Sequence, residues 1–370
     1  MLFRICRGPD RCWAEPSNLR KPPSPTSTHR NVLMSKFSME VLQRCVFPFV
    51  SSEDPDIVLG STFGEDVALT RVGGDILASH LDPIVGAIGN IGWLAVHVAC
   101  NDIATSGIPP RWILPLVLLP RSEDEALLEQ IMRDASQAAR EVGVSIIGGH
   151  TGYSASLSRP LVAVTALGTA AGREPVRTQG ARVGDHVLVT KGIAIEGTAI
   201  LAQDFAEVAH ELGLSENDLA EARGLMTQVS VVPEAVSIAA QGATAMHDVT
   251  RGGFLETALE IASLSEVAIE VEASRLPISP LVSRFAAAFQ FDPLWMISSG
   301  TLIATVPPEK TARVSRVLRD ELNIPFAFVG RVKDGTGVHV HRDGQTLHSR
   351  DIGCQEDELA RMWRLYPREG

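Results

Sequence analysis

"HVACNDIATSG", His97 to Gly107, is the stretch whose reading decides the fold. It continues an apolar run, "IGWLAVHVA", and meets Asn101 and Asp102 without a break. A helix this apolar belongs in the interior, where an unpaired carboxylate costs several kcal/mol. Asp102 therefore needs a partner from elsewhere in the chain, and finding it is a question about the whole architecture.

Working outward, Ser122 to Val142 reads as a helix. It has a capping box in Ser122 and Glu125, apolar positions at Leu127, Leu128, Ile131, Ala135 and Ala138, and Gly143 as its stop. A short strand "VSII", the turn "GGHT" and a second strand "LVAVTALG" follow. The pattern restarts past Ala171–Gly180 with strand "HVLVT", several helices, "MHDVTRGG" opening helix "FLETALEIAS", strand "VAIEV", strand "TLIATV", helix "PEKTARVSRVLRDEL" and strand "FAFVGRV". Helices alternating with strands define an α/β (α+β) layered fold and not an all-β sandwich. The 370 residues divide into an extension over 1–33, a domain over 34–175, a second over 176–345 and a tail over 346–370. Residues 1–33, rich in Pro, Ser and basic residues, read as a disordered extension or a start assigned too far upstream. In the tail, Leu359, Met362, Trp363 and Leu365 are spaced to pack one face of a docked helix.

A net charge of −11 argues against nucleic-acid and anionic-membrane partners, which are themselves polyanions. No apolar run reaches the roughly 20 residues a bilayer requires. Five cysteines without metal-type spacing fit a reducing, cytoplasmic setting.

The acidic residues carry the chemistry. Glu65 and Asp66 in "GEDVAL", Asp82 in "SHLDPIVG", Asp102, and Asp248 in "MHDVTRGG" each flank or interrupt a segment that should be buried. Taken singly, each Asp reads as a cap or a turn residue. Together they are what a magnesium-nucleotide site requires, because Mg²⁺ is held by a few carboxylates with phosphates and waters. His97 on its apolar face reads as a core residue, His247 as a pocket residue, and Lys191 as a solvated strand end.

The ordered series "GEDVAL", "LDPI", "AVHVACNDIATSGIPP", "GGHT", "HDVTRGG" and "ISSGTLIATVPPE" resembles the AIR synthase superfamily, with "HDVTRGG" most similar to its hydrogenase-maturation HypE branch. The resemblance spans roughly Met34 to Val340. It implies an N-terminal ATP-binding domain whose strands pair with a second subunit in a dimeric β-barrel, a C-terminal α/β layered domain, and ATP with Mg²⁺ in the groove between them. By motif position it implies Asp66, Asp82, Asp102 and Asp248 as metal ligands and Asp102, Asp248 and His247 as catalytic. It further implies Gly64, Asp66, Asp82, Asn101, Gly148, Gly149, His150, Thr151, Thr250, Gly252 and Gly253 as nucleotide contacts. The partners it implies are a small-molecule substrate, a second copy of the chain and a maturation partner protein.

The sequence also departs from that family. The HypE branch ends in a cysteine that carries the reacting group, whereas this chain ends "MWRLYPREG" with Cys354 well before the end. Cys45 packs on its own helix in this reading, and His150 stands where relatives carry an acidic residue, either contacting ligand or bonding the turn backbone. The function expected is Mg-ATP-dependent phosphorylation of an amide- or carboxamide-type oxygen on a free small substrate. The alternatives are a kinase of the thiamine-monophosphate type and a nucleotide-binding accessory protein without turnover.

Overall fold

The period-two segments assemble into two sheets of seven strands each, seen in a computed structural model that describes residues 37, 39–50, 53–85, 89–342, 344–349 and 357–366. The extension over 1–33 and Cys354 lie outside the described residues. After α1 (Met39–Cys45), the first sheet comprises β1 (Ile57–Leu59), β2 (Ala68–Val72), β3 (Asp75–Val85), β4 (Pro110–Leu119), β5 (Ser145–Ile146), β6 (His150–Tyr153) and β7 (Leu161–Thr169). Their order is β1-β2-β3-β7-β4-β5, with β6 also beside β4. The long β3, β7 and β4 run antiparallel, and both β5 and β6 run parallel to β4.

Two helices cover one face of this sheet, α2 (Ile91–Thr105) and α3 (Glu125–Val142). Val96, Ile103, Ile113, Val117, Ile131, Val162 and Val164 fill the space between as a fully buried core. The opposite face is not closed into a barrel by the described residues of one chain. It leaves Leu81, Ile147 and Tyr153 exposed at 59%, 54% and 66%.

The second sheet comprises β8 (His186–Thr190), β9 (Ala245–Asp248), β10 (Ala268–Glu272), β11 (Leu302–Val306), β12 (Phe326–Lys333), β13 (Gly337–Arg342) and β14 (Gln345–Ser349), in the order β14-β13-β10-β12-β8-β11-β9. Its helices are α4 (Ile195–Asp204), α5 (Ala206–Glu211), α6 (Glu216–Gly224), α7 (Val232–Ala240), α8 (Gly253–Leu264), α9 (Pro280–Phe289), α10 (Thr311–Arg316) and α11 (Glu358–Leu365). One core gathers Phe254, Phe285 and Phe289 with Val187 and Ile303. Another gathers Ala235, Ile238, Leu188, Met246 and Leu302, and Ala104 of α2 joins it. The apolar helix that poses the opening question is thus buried because it bridges both sheets. No helix among the described residues is long and apolar enough to cross a membrane.

Several local expectations need correction. The capping box of Ser122 and Glu125 does not form, because Asp124 is held by Arg121 at 3.1 Å and α3 starts only at Glu125. The segment after Pro308 is not one helix: a turn of 3-10 helix, α10 and a π-turn over Val317–Glu321 succeed one another. The second sheet runs past the expected domain end at 345, since residues 346–349 continue β14 against β13. Cys45 is exposed and does not pack on α1, and Leu365 stays 36% exposed.

Candidate active-site cleft

Asp102 finds its partner on β3. His80 Nε2 lies 3.1 Å from Asp102 Oδ2, and His80 Nδ1 meets the backbone carbonyl of Asp66. The preceding residue is fully buried and differently employed: Asn101 Nδ2 donates to Val229 O and its Oδ1 accepts from Val231 N, both at 2.8 Å. Both amide groups of Asn101 are therefore committed to backbone, and the residue fixes the roll of α2 against the second sheet's side.

Asp66, His80, Asp82, Asp102 and Thr250 line one end of a cleft of about 440 Å³, together with Arg251, Glu196 and Ser299. Trp93, Leu94, Val98, Met226, Leu359 and Trp363 line its apolar part, and Arg159 adds a further cation. Asp248, on the last residue of β9, stands just behind this wall and is fully buried. Burial, then the charges of Asp248, Asp66 and Asp82, push the Asp102 carboxyl well above the usual range.

His247 sits among these acids. Its Nδ1 faces Asp248 O at 2.7 Å and Asp66 Oδ2 at 3.1 Å, and its Nε2 faces Glu260 Oε2 at 3.1 Å. Burial disfavours its charge, yet Asp66, Asp248 and Glu260 outweigh burial and raise its pKa well above the ordinary value. An acceptor at each ring nitrogen, with the raised pKa, favours the imidazolium form of His247, which donates at both ends. It has no lone pair to offer as a base or metal ligand in this state, and it acts as counter-ion to the acids.

The carboxylates suit a hard divalent cation. Asp66, His247 and Asp248 bring ligand atoms within 4.8 Å of one another. Neither oxygen of Asp248 makes a hydrogen bond among the described residues, and its Oδ1 is 3.7 Å from His247 Nδ1. A buried carboxylate whose nearest cation, His247, stands 3.7 Å away without a hydrogen bond to it is costly until a closer cation completes it, and the oxygens of Asp66 and Asp248 are the donors Mg²⁺ prefers, with His247 their neighbour and not a ligand.

Other anticipated contacts lie elsewhere. Gly148, Gly149, His150 and Thr151 are exposed beside β4 and do not line the cleft. Gly149 has φ +147°, and a Cβ there would lie 2.2 Å from Pro115 O, so packing against β4 demands the glycine. Gly64 packs on Glu260 and Leu264 of α8, and Glu65 is bound by Arg177 at 3.2 Å and by Thr178 N at 3.1 Å. Gly253, at φ +66° and pressed against Leu294 O, shapes the start of α8. Gly252 N donates to Asp357 Oδ2 at 2.9 Å, and Asp357 also caps α11 through Leu359 N and Ala360 N. The docked α11 thereby sets Leu359 and Trp363 in the cleft wall.

Lys191 is not a solvated strand end: it is half-buried, paired with Glu234 at 2.6 Å and bonded to the carbonyls of Ser230 and Gly300. His97 is a core residue, 3.2 Å from Glu141. Burial, with the nearby Asp102 charge, pushes the Cys100 thiol up to about 12, which removes it as a nucleophile. His80, Glu260, Arg159 and Arg251 were missed by sequence reasoning. His80 alone had a readable signal, two residues before Asp82 on the same face of a strand.

The chain thus combines two layered α/β sheets with a carboxylate-lined cleft. Family comparison places it directly: the chain belongs to the AIR synthase related proteins, matching the N-terminal domain over residues 64–170 and the C-terminal domain over 182–343. It is 30% identical over 258 residues to carbamoyl dehydratase HypE of Rhizobium leguminosarum bv. viciae, covering 68% of this chain and 71% of that one. It is also 30% identical over 246 residues to a selenide, water dikinase of Geobacter sp. (strain M21), covering 65% and 68%. Its fold matches the crystal structure of hydrogenase maturation protein HypE in complex with ATP at a TM-score of 0.65, with 24% identity over 81% of this chain and 92% of that one.

Proposed function

We propose that this protein is an ATP-dependent enzyme that uses Mg²⁺ to phosphorylate an amide- or carboxamide-type oxygen of a free small substrate, activating it for loss or displacement. The observation that carries this reading is the convergence of Asp66, Asp82 and Asp102 in the cleft wall with Asp248 buried behind it, within ligand distance of Asp66 and lacking hydrogen-bond partners at both oxygens among the described residues. The carboxamide chemistry rests on the likeness to HypE.

Asp66, Asp82, Asp102 and Asp248 are the residues that would hold Mg²⁺, which when bound neutralises charge on the transferring phosphoryl group. Arg251, Arg159 and the Thr250 hydroxyl supply further cationic and hydrogen-bonding contacts to phosphate oxygens. His80 orients the Asp102 carboxylate, and the His247 imidazolium holds Asp66. Trp93, Met226, Leu359 and Trp363 form an apolar wall that excludes water from the reacting oxygen. The anchoring of α11 through Asp357 and the fully buried Met362 supports an acceptor that comes from solution. The protein acts as a homodimer in this reading, with the exposed apolar face of the first sheet covered by a second copy.

The test is phosphate release from ATP with and without Mg²⁺, across a panel of small amides and carboxamides, for the parent and Cys354→Ser. Mg²⁺-dependent turnover stimulated by a free amide and equal in both proteins is expected. Loss of turnover in Cys354→Ser would establish self-modification instead, and absence of Mg²⁺-dependent ATP binding would refute the enzyme reading.

A further inference from the structure

The far edge of the second sheet carries an opposed pair of histidines with glutamates beside them on the same face, and none of these residues lines the cleft. β13 and β14 pair so that His339 stands directly opposite His348, and His341 opposite Thr346. On the other side of β13, parallel pairing sets Glu270 beside His339 and Glu272 beside His341. Residues paired across a ladder point to the same face. Ile269, Val271, Val338 and Val340 alternate with them and are buried, so the histidines and glutamates share the outward face.

The two opposed imidazoles meet at Nδ1, 2.6 Å apart, with ring planes at 83°. His339 Nε2 lies 3.1 Å from the carbonyl of Thr336, which accepts a hydrogen bond and therefore fixes the proton on Nε2. The lone pair of His339 is then on Nδ1, aimed at His348. A ring nitrogen bonded to a backbone carbonyl while the other faces outward as a base is the usual arrangement of a ligating histidine.

We propose that His339 and His348 form a bidentate site for a divalent transition metal of the Ni²⁺, Cu²⁺ or Zn²⁺ class, ligated through both Nδ1 atoms, with Glu270 next in the row. Imidazole nitrogens select these ions over Mg²⁺ and Ca²⁺. Two nitrogens on a tetrahedral ion at the usual bond length are roughly 3.3 Å apart, so the exposed His348 ring moves outward by roughly 0.7 Å. Without metal, His348 donates its Nδ1 proton to the lone pair on His339 Nδ1. On binding, His348 takes its other neutral tautomer, the proton passing through solvent from Nδ1 to Nε2, and both Nδ1 lone pairs go to the ion with no net release of protons. The ion would pin β14, an edge strand otherwise held on one side only.

The test uses untagged full-length protein in millimolar Mg²⁺, titrated calorimetrically with Ni²⁺, with copper electron paramagnetic resonance on the same samples. One equivalent should bind, with nitrogen hyperfine structure from two imidazoles. His339→Ala and His348→Ala should each weaken binding at least tenfold, while His247→Gln leaves it unchanged. Circular dichroism would confirm that the variants fold, as both positions are on the outward face. Binding unaltered in His348→Ala, no binding by the parent, or a copper signal lacking two nitrogens would each overturn the proposal.

Discussion

Replacing Asp248 by Asn separates a ligand-completed carboxylate from a structural one. Asp248 is fully buried, with no hydrogen bond to either oxygen among the described residues. Asn has nearly the same volume, so no cavity term arises. It removes one charge from the group of Asp66, Asp102 and Asp248, and its amide can donate to a neighbouring carboxylate. A buried polar group left unsatisfied costs about 1–3 kcal/mol, more when charged, so the ligand-free variant should be more stable than the parent by up to about that amount, less what is lost with the attraction between Asp248 and the His247 ring 3.7 Å away. At about 2–4 °C per kcal/mol for domains of 150–250 residues, its melting temperature should rise by several degrees. With Mg²⁺ and ATP at a hundred times the dissociation constant, the parent should gain about 2.7 kcal/mol, and the variant, short of one ligand, much less. Differential scanning fluorimetry with and without Mg²⁺-ATP reads both effects. A ligand-free variant that melts below the parent, or one that gains the full ligand-induced shift, would refute the reasoning.

His247 should contribute to the pH dependence of the ligand-free protein above neutrality. Its folded pKa is raised by Asp66, Asp248 and Glu260 against the cost of burial. The stability it contributes is fully present below the unfolded value, about 6.5, and is lost as pH rises through the higher folded value. Melting temperature should therefore fall as pH is raised from about 6.5 into the alkaline range, and His247→Gln should flatten that slope; an identical slope in the variant would contradict the imidazolium assignment. For assembly, light scattering should report about twice the 39.7 kDa chain mass. Leu81→Asp, placing a charge on the exposed apolar face, should shift the mass toward one chain, and a monomeric parent at low micromolar concentration would count against the dimer.

Much of the fold was legible because its elements have clean periods. "LVAVTALG" became β7 and "FLETALEIAS" became α8 within a residue or two. The carboxylates were legible as well, since an Asp interrupting an apolar segment signals an unmet partner. The partners themselves were hidden by distance: His80 and Asp102 lie 22 positions apart by their numbers and meet only because β3 packs beside α2. Glycines misled because one residue type serves two ends. In "GGHT" the spacing fits a ligand loop equally well, and only the approach of Gly149 to Pro115 O shows that a neighbouring strand demands it. Lys191 was illegible for a related reason. Its buried partner Glu234 belongs to α7, and nothing in "VTKGIAIEG" announces it.

The adjacency of Asn101 and Asp102 is explained by division of labour across one step of a helix. Successive helical residues point about 100° apart, so neighbours cannot serve the same surface. Asn101 spends both amide groups on the backbone around Val229 to Val231. That bidentate clasp fixes the rotation of α2, and one position further on the rotation delivers Asp102 to His80 and the cleft. An apolar residue at 101 would leave α2 free to roll and two buried backbone groups without partners, which is costly. A neutral residue at 102 would relieve the crowding of Asp66, Asp82 and Asp248 but leave the cleft with less to offer a cation. The polar pair is therefore retained in the most buried helix of the first lobe because one member holds the helix and the other gives it something to hold in place.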